Sequence, residues 1–177
     1  MKITLVRHGA VEQKYTGCYN GHIDIGLSPK GHLQAKNLAK ELENERYDMV
    51  FCSDLKRARQ TLGYFSNIKD VQYTAKIREK SWGKHEGMSF DEISKRDKIE
   101  YVDFLQWIEA LDGENYKNFT KRVYGFFDYI KTLKKENILI VTHSGVIKSF
   151  IAREKNISIE EAFCMDLPYI SYITYEL

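Results

Sequence analysis

The sequence predicts an α/β fold with a largely parallel sheet, on three observations. Two strand–helix units follow one another in the N-terminal half, the pattern that parallel sheets produce. The strand segments around Met49 and Ile138 are short apolar runs of the kind that sit buried in a sheet centre. The chain has 177 residues, of which 43% are hydrophobic and 29% charged, which suits one core of ordinary soluble composition. No internal repeat, low-complexity tract or Pro/Gly-rich linker divides it, so a single domain over residues 1–177 is expected.

Ile3 to Val6 reads as the first strand, followed by a long loop rich in Gly, Tyr and Asn from Gly9 to Leu27. So long a loop inside a compact domain is usually functional. Ser28 is an expected N-cap with Pro29 at the first helical position, and Leu33, Leu38 and Leu42 are assigned to one face of a helix reaching about Asn44. Met49 to Cys52 is a buried strand. Ser53 or Asp54 starts the next helix, which runs through Thr61 to about Phe65, and Val71 to Thr74 is a third strand.

The middle of the chain is helical. Ser89 with Glu92 forms a capping-box pattern, and a long helix is expected over Asn118 to Lys135. Ile138 to Thr142 is another buried strand and Gly145 to Ala152 a helix. Ser158 and Glu161 repeat the capping box before a short helix, and Tyr169 to Tyr175 is the last strand. The two prolines, Pro29 and Pro168, are both placed where an element begins.

A formal net charge of +2 is too small to point to nucleic acid or a membrane surface. The apolar run of MKITLVRHG is too short for a signal peptide or a span, so a cytoplasmic protein is expected. Cys18, Cys52 and Cys164 are an odd number without CxxC spacing and suggest neither a disulfide framework nor a zinc site.

The chemistry concentrates at one rim. In a parallel α/β sheet, ligands collect outside the carboxyl ends of the strands, where helix N-termini point. Arg7 and His8 end the first strand, Arg57 lies in the first turn or so of the helix after the second, and His143 ends the penultimate strand. Two arginines and two histidines there suit an anion. A phosphoryl group is the economical choice, because guanidinium groups offer it planar, charge-assisted hydrogen bonds. There is no HExxH, no compact ligand cluster and no G-x-x-x-x-G-K-[ST] loop, so neither a metal nor another cofactor is expected.

VRHG (Val6 to Gly9), SDLKRARQT (Ser53 to Thr61), IREKSWGKHEG (Ile77 to Gly87) and VTHSG (Val141 to Gly145) together resemble the histidine phosphatase superfamily, the phosphoglycerate mutase-like family. RHG alone is a weak signal; the four motifs in order span nearly the whole chain. The resemblance implies a three-layer α/β/α sandwich and a phosphohistidine mechanism. It makes His8 the nucleophile, with Arg7, Arg57 and His143 around the transferring phosphoryl group. Glu79 would protonate the leaving oxygen and then serve as base for water. Gly9 is expected to let the chain turn tightly beneath the phosphate.

YTGCYNGHIDIGLS (Tyr15 to Ser28) matches the family's second signature, in which Asn20 and Gly21 would donate to a phosphate oxygen and Asp24 is structural. Ala10 and Lys14 depart from the usual Glu and Asn, and Lys14 is expected to replace the Asn at the phosphate. Ser144 and Gly145 complete the substrate-binding set. Tyr19 and Trp82 either stack on substrate or pack the loops. Glu86 is taken as structural, and His22, His32 and His85 as non-catalytic, with His22 bordering the pocket.

The short chain lacks the basic insertion by which the family's mutases grip a carboxylate, so water is the expected acceptor and a small-molecule phosphate ester the expected substrate. CYNGH and NILIVTHSGVIKSFIA are most similar to the α-ribazole phosphatases, which would make α-ribazole 5′-phosphate the substrate. The alternatives are a broad or phosphoserine-type phosphatase, a mutase, and a non-catalytic phosphate-binding module. Family specificity resides in a variable segment, here Ser89 to Tyr116. The aromatics of YISYITYEL either seal a homodimer or finish the sheet.

Overall fold

The computed structural model describes residues 1–66 and 68–177. Five strands form one sheet: β1 (Lys2–Arg7), β2 (Met49–Ser53), β3 (Val71–Thr74), β4 (Asn137–Thr142) and β5 (Tyr172–Glu176), in the order β3-β2-β4-β1-β5. All neighbouring pairs are parallel except β1 with β5, which closes one edge antiparallel. Among the described residues seven α-helices complete the fold: α1 (Pro29–Glu41), α2 (Lys56–Leu62), α3 (Phe90–Asp97), α4 (Phe104–Ala110), α5 (Tyr116–Thr132), α6 (Ser144–Lys155) and α7 (Ile159–Cys164).

The strands are apolar on both faces, and their period-two alternation builds two cores. Ile3, Leu5, Phe51, Ile138 and Ile140 point to one side, where α5 and α6 supply Phe119, Phe127, Ile147 and Phe150. Val6, Val50, Cys52, Leu139 and Val141 point to the other, against Leu38 and Leu42 at the end of α1 and Ala58 and Leu62 of α2. This is the three-layer α/β/α arrangement. A third cluster of Trp82, Ile93, Trp107, Ile108 and Leu111 ties α3 and α4 to the loops above the sheet.

Ser28 caps α1 as expected, accepting from the Gly31 N–H at 3.1 Å, and both capping boxes are formed. Leu33 is misassigned: it is 60% exposed, and the buried residues of α1 are Gly31, Ala35, Leu38 and Ala39, with Leu42 buried at its C-cap. Leu33 lies five residues before Leu38, which is not a helical repeat; the i, i+4 pair 38/42 is. α2 starts at Lys56 rather than at Ser53 or Asp54 and ends at Leu62, short of Phe65. Those two polar residues have other partners: Ser53 Oγ lies 2.8 Å from His143, and Asp54 accepts from Arg78 at 2.7 and 2.6 Å.

α5 begins two residues early because Asn115 caps it, accepting from the Asn118 N–H at 2.8 Å, and it stops at Thr132. Pro168 begins no element. Its carbonyl accepts from the Ser171 N–H and hydroxyl in a turn, which delays the last strand to Tyr172.

Register of α1 can be tested by stability. Leu38→Ala should cost about 2–5 kcal/mol, the range for truncating a buried leucine, and Leu33→Ala no more than about 0.5 kcal/mol, as read by urea denaturation. Equal losses at the two positions would contradict the packing described.

Candidate active site

β1 pairs with β4 in a register that sets Arg7 opposite Thr142, so the next residue of each strand, His8 and His143, emerges side by side. The His8 N–H donates to the Thr142 carbonyl at 3.0 Å, and the two imidazole centroids are 5.1 Å apart. His8 Nδ1 lies 2.8 Å from the Gly9 carbonyl oxygen. A carbonyl only accepts, so Nδ1 carries the proton and Nε2 is left with its lone pair. Burial, with Arg57 and Arg7 nearby, holds the imidazole well below its ordinary pKa and therefore neutral.

His143 is fully buried. Its Nε2 is 2.8 Å from Ser53 Oγ, and its Nδ1 has no hydrogen-bond partner. Desolvation and the charge on Arg57 push it too well below the ordinary value. Neither ring nitrogen of His143 is satisfied by a backbone carbonyl.

His8 opens on a cavity of about 180 Å³. Arg7, His8, Asn20, Glu79, Ser144 and Gly145 supply its polar lining, and Val11, Tyr19, Trp82, Phe163 and Tyr169 its apolar walls. Arg7 donates to the Leu167 carbonyl, and its guanidinium carbon lies 4.1 Å from the Tyr169 ring centroid. Its Nε is buried without a partner. Burial lowers its pKa, yet a guanidinium remains charged.

Glu79 sits at the N-terminus of α6, where anions are favoured. One carboxylate oxygen accepts from the Gly145 N–H at 2.9 Å and the other from the Lys80 N–H at 3.0 Å. Gly145 is required for this approach, because a Cβ there would come within 2.1 Å of Glu79 Oε1. The N–H of Gly145 is thus engaged by Glu79 rather than held open for substrate.

The loop from Asn20 to Ile23 is gripped from two sides by opposite charges. Arg57, fully buried, donates to the carbonyls of Asn20, Gly21 and Ile23 at 3.1, 2.7 and 2.9 Å. Glu86 accepts from the N–H groups of Gly21, His22, Ile23 and Trp82 at 2.8, 2.7, 3.1 and 2.9 Å. Desolvation pulls Arg57 down to about 10, so it stays cationic at neutral pH. Its Nε alone is buried without a partner.

Several expectations change here. Arg57 and His143 do not line the cavity; they stand beside it, coupled electrostatically to His8. Gly21 does not line it either. Its N–H belongs to Glu86, and its lack of a side chain serves the Lys80 carbonyl, which a Cβ would meet at 2.0 Å. Asn20 lines the cavity, with one N–H of its amide donating to the Tyr15 carbonyl at 2.6 Å and its Oδ1 buried without a partner. Lys14 is exposed, 3.8 Å from Glu12, and stands outside.

Gly9 keeps a negative φ and is needed instead for close packing, since a Cβ would meet the Gly31 carbonyl at 2.7 Å. His22 lies off the cavity, with its Nε2 buried and unpartnered. Trp82 is only 8% exposed and packs edge-on to Tyr19 at 5.1 Å, while the Tyr19 hydroxyl accepts from Trp107 at 2.6 Å. Both rings line the cavity and both belong to the third cluster.

Tyr169 and Phe163 were missed as cavity residues. Tyr169 reads as a strand residue in sequence, and only the Pro168 turn carries it to the site. Ile170 behind it has φ +66°, a left-handed conformation costing about 1–2 kcal/mol for a side-chain-bearing residue, and its N–H bonds to the His8 carbonyl at 3.3 Å. Among the described residues no group of three or more His, Cys, Asp or Glu could hold a metal ion, and no helix is long and apolar enough to cross a membrane.

The model of the histidine phosphatase superfamily, branch 1, matches residues 3–177. The chain belongs to the histidine phosphatase superfamily. Among curated relatives of this histidine phosphatase, the adenosylcobalamin/alpha-ribazole phosphatase of Salmonella typhimurium is 34% identical over 159 residues, covering 86% of this chain and 79% of that protein. Phosphoserine phosphatase 1 of Hydrogenobacter thermophilus is 30% identical over 153 residues, covering 81% and 71%. The crystal structure of the alpha-ribazole phosphatase from Shigella flexneri superposes with a TM-score of 0.90 at 26% identity, over 100% of this chain and 91% of the other.

The buried histidines give a pH prediction with a defined sign. Unfolding restores His8 and His143 to about pKa 6.5, so below that pH the unfolded chain binds protons the native state does not. Their contribution is complete above about pH 6.5 and is lost as the pH falls, each histidine adding a slope of up to about 1.4 kcal/mol per pH unit. His143→Gln should flatten the stability profile between about pH 6 and 5 by up to that amount. Parallel profiles for variant and wild type would mean that His143 is protonated in the native state.

Proposed function

We propose that this histidine phosphatase hydrolyses a phosphate monoester through a phosphohistidine on His8, and that its substrate is α-ribazole 5′-phosphate. The observation that carries the reaction is the Nδ1–H bond of His8 to the Gly9 carbonyl, which leaves Nε2 unprotonated in a cavity that also holds Arg7 and Glu79. Similarity to the ribazole phosphatases over most of the chain supports the substrate.

In the first half-reaction Nε2 forms a bond to phosphorus while the ester P–O bond breaks, and Glu79, entering as the carboxylic acid, gives its proton to the departing oxygen. Arg7, with the positive charge of Arg57 beside it, stabilises the equatorial oxygens. In the second half-reaction the Glu79 carboxylate takes a proton from water as its oxygen attacks phosphorus. The P–N bond breaks, phosphate leaves, and His8 recovers its lone pair. No residue in this scheme calls for a metal.

A phosphoserine-type substrate is the second reading, favoured by the 30% identity to phosphoserine phosphatase 1. Phosphate release in excess EDTA separates the two readings. A kcat/KM for α-ribazole 5′-phosphate about 100-fold above phosphoserine, 3-phosphoglycerate and an aryl phosphate is expected, roughly 2.7 kcal/mol of transition-state discrimination. Preference for phosphoserine would transfer the assignment, and inactivity on every ester would leave a binding module. His8→Ala should abolish turnover. Glu79→Ala should lower kcat by about 10²–10⁴, the span of general acid–base catalysis, while inorganic phosphate inhibits the variant at least as tightly as the wild type.

A further inference from the structure

The first cavity is small for the substrate proposed. Its volume of about 180 Å³ falls short of the roughly 300–1,000 Å³ of sites that enclose a drug-sized ligand. It accommodates a phosphate and the sugar that carries it, but not an aromatic base as well. Trp82 and Tyr19 are locked into the third cluster, so neither is free to move aside.

A second hollow of about 470 Å³ adjoins it, and the two share Val11 and Tyr169 as walls. Ala10, Val11, Pro29 and Tyr169 form an apolar wall of this hollow, and Glu12, Gln13, Thr16, Ser28 and Lys30 give it a polar, charged rim. The Tyr169 ring is fixed from behind: Arg7 lies over it at 4.1 Å, and the strained Ile170 sets the turn that presents it. A tyrosine ring and a proline ring on one wall suit a flat aromatic group. A guanidinium on the tyrosine also draws down its electron density, which favours stacking with an electron-rich ring.

We propose that this second hollow, bounded by Val11, Tyr169 and Pro29, is the subsite for the planar aromatic base of the leaving alcohol. The inference rests on phosphate binding in the first cavity. The substrate crosses Val11 and Tyr169, with its phosphate at His8 and its base in the second hollow. Esters without a flat base, such as phosphoserine, use the first cavity alone.

Binding to the full-length His8→Ala protein tests the subsite independently of turnover. Calorimetry would compare α-ribazole 5′-phosphate with ribose 5-phosphate, which lacks the base. The base is expected to tighten binding at least 30-fold. Adding Thr16→Trp, which fills the hollow, should remove most of that gain and leave ribose 5-phosphate within twofold, which also reports an intact fold. Pro29→Ala should reduce the gain about threefold in the same selective way.

Equal affinities for the two ligands, or a base-dependent gain that survives both substitutions, would overturn the subsite. Failure of the substrate assignment reads out separately, as a wild-type kcat/KM without preference for α-ribazole 5′-phosphate.

Discussion

The parallel register of β1 on β4 is the constraint on which the site depends. Because Arg7 stands opposite Thr142, the residues that follow are both histidines, and both leave the sheet at its carboxyl end. A slip of one residue would turn His8 to the opposite face and separate the pair. The register is held by buried side chains on both faces of both strands, so the two apolar cores fix the placement of the histidine pair as well as the stability. The local bond from Nδ1 to Gly9 then selects the tautomer, so His8 carries the free Nε2 lone pair that the proposed nucleophile needs before any ligand arrives.

Around that pair the protein concentrates positive charge in a desolvated place and compensates it with backbone. Among the described residues no carboxylate lies within ion-pair distance of Arg57; three carbonyls of one loop hold it, while Glu86 holds the N–H groups of the same loop. The loop is therefore held between a buried cation and a carboxylate through its own backbone. Glu79 follows the same logic at the start of α6, where its carboxylate is held by backbone N–H groups rather than by a cation. Side chains to which the proposed mechanism gives proton exchange or phosphate contact are thereby left without strong ionic partners.

How far the site was legible in sequence varies with the kind of information. The strands, the capping boxes and the rim shared by Arg7, His8, Arg57 and His143 follow from periodicity and local chemistry, and all reappear in the fold. Ser53 and Asp54 misled because a cap signal is local, whereas their partners, His143 and Arg78, are distant in sequence. Leu33 misled through a miscounted helical face. Gly21 and Lys14 were drawn toward the phosphate by resemblance, but the Lys80 carbonyl and the path of the loop decide their places. Tyr169 was hidden because nothing in PYIS announces that a β-branched residue will accept a left-handed backbone and turn the preceding ring onto Arg7.

The central claim is that His8, through Nε2, carries the phosphoryl group between ester and water. The most direct measurement is rapid alkaline quenching during the first turnover, followed by peptide mapping of the protein by mass spectrometry. The account predicts a single acid-labile phosphate on the peptide containing His8, attached at Nε2 and accumulating further when Glu79 is replaced by alanine. Active turnover with no phosphorylated peptide, or with the phosphate on His143, would contradict it.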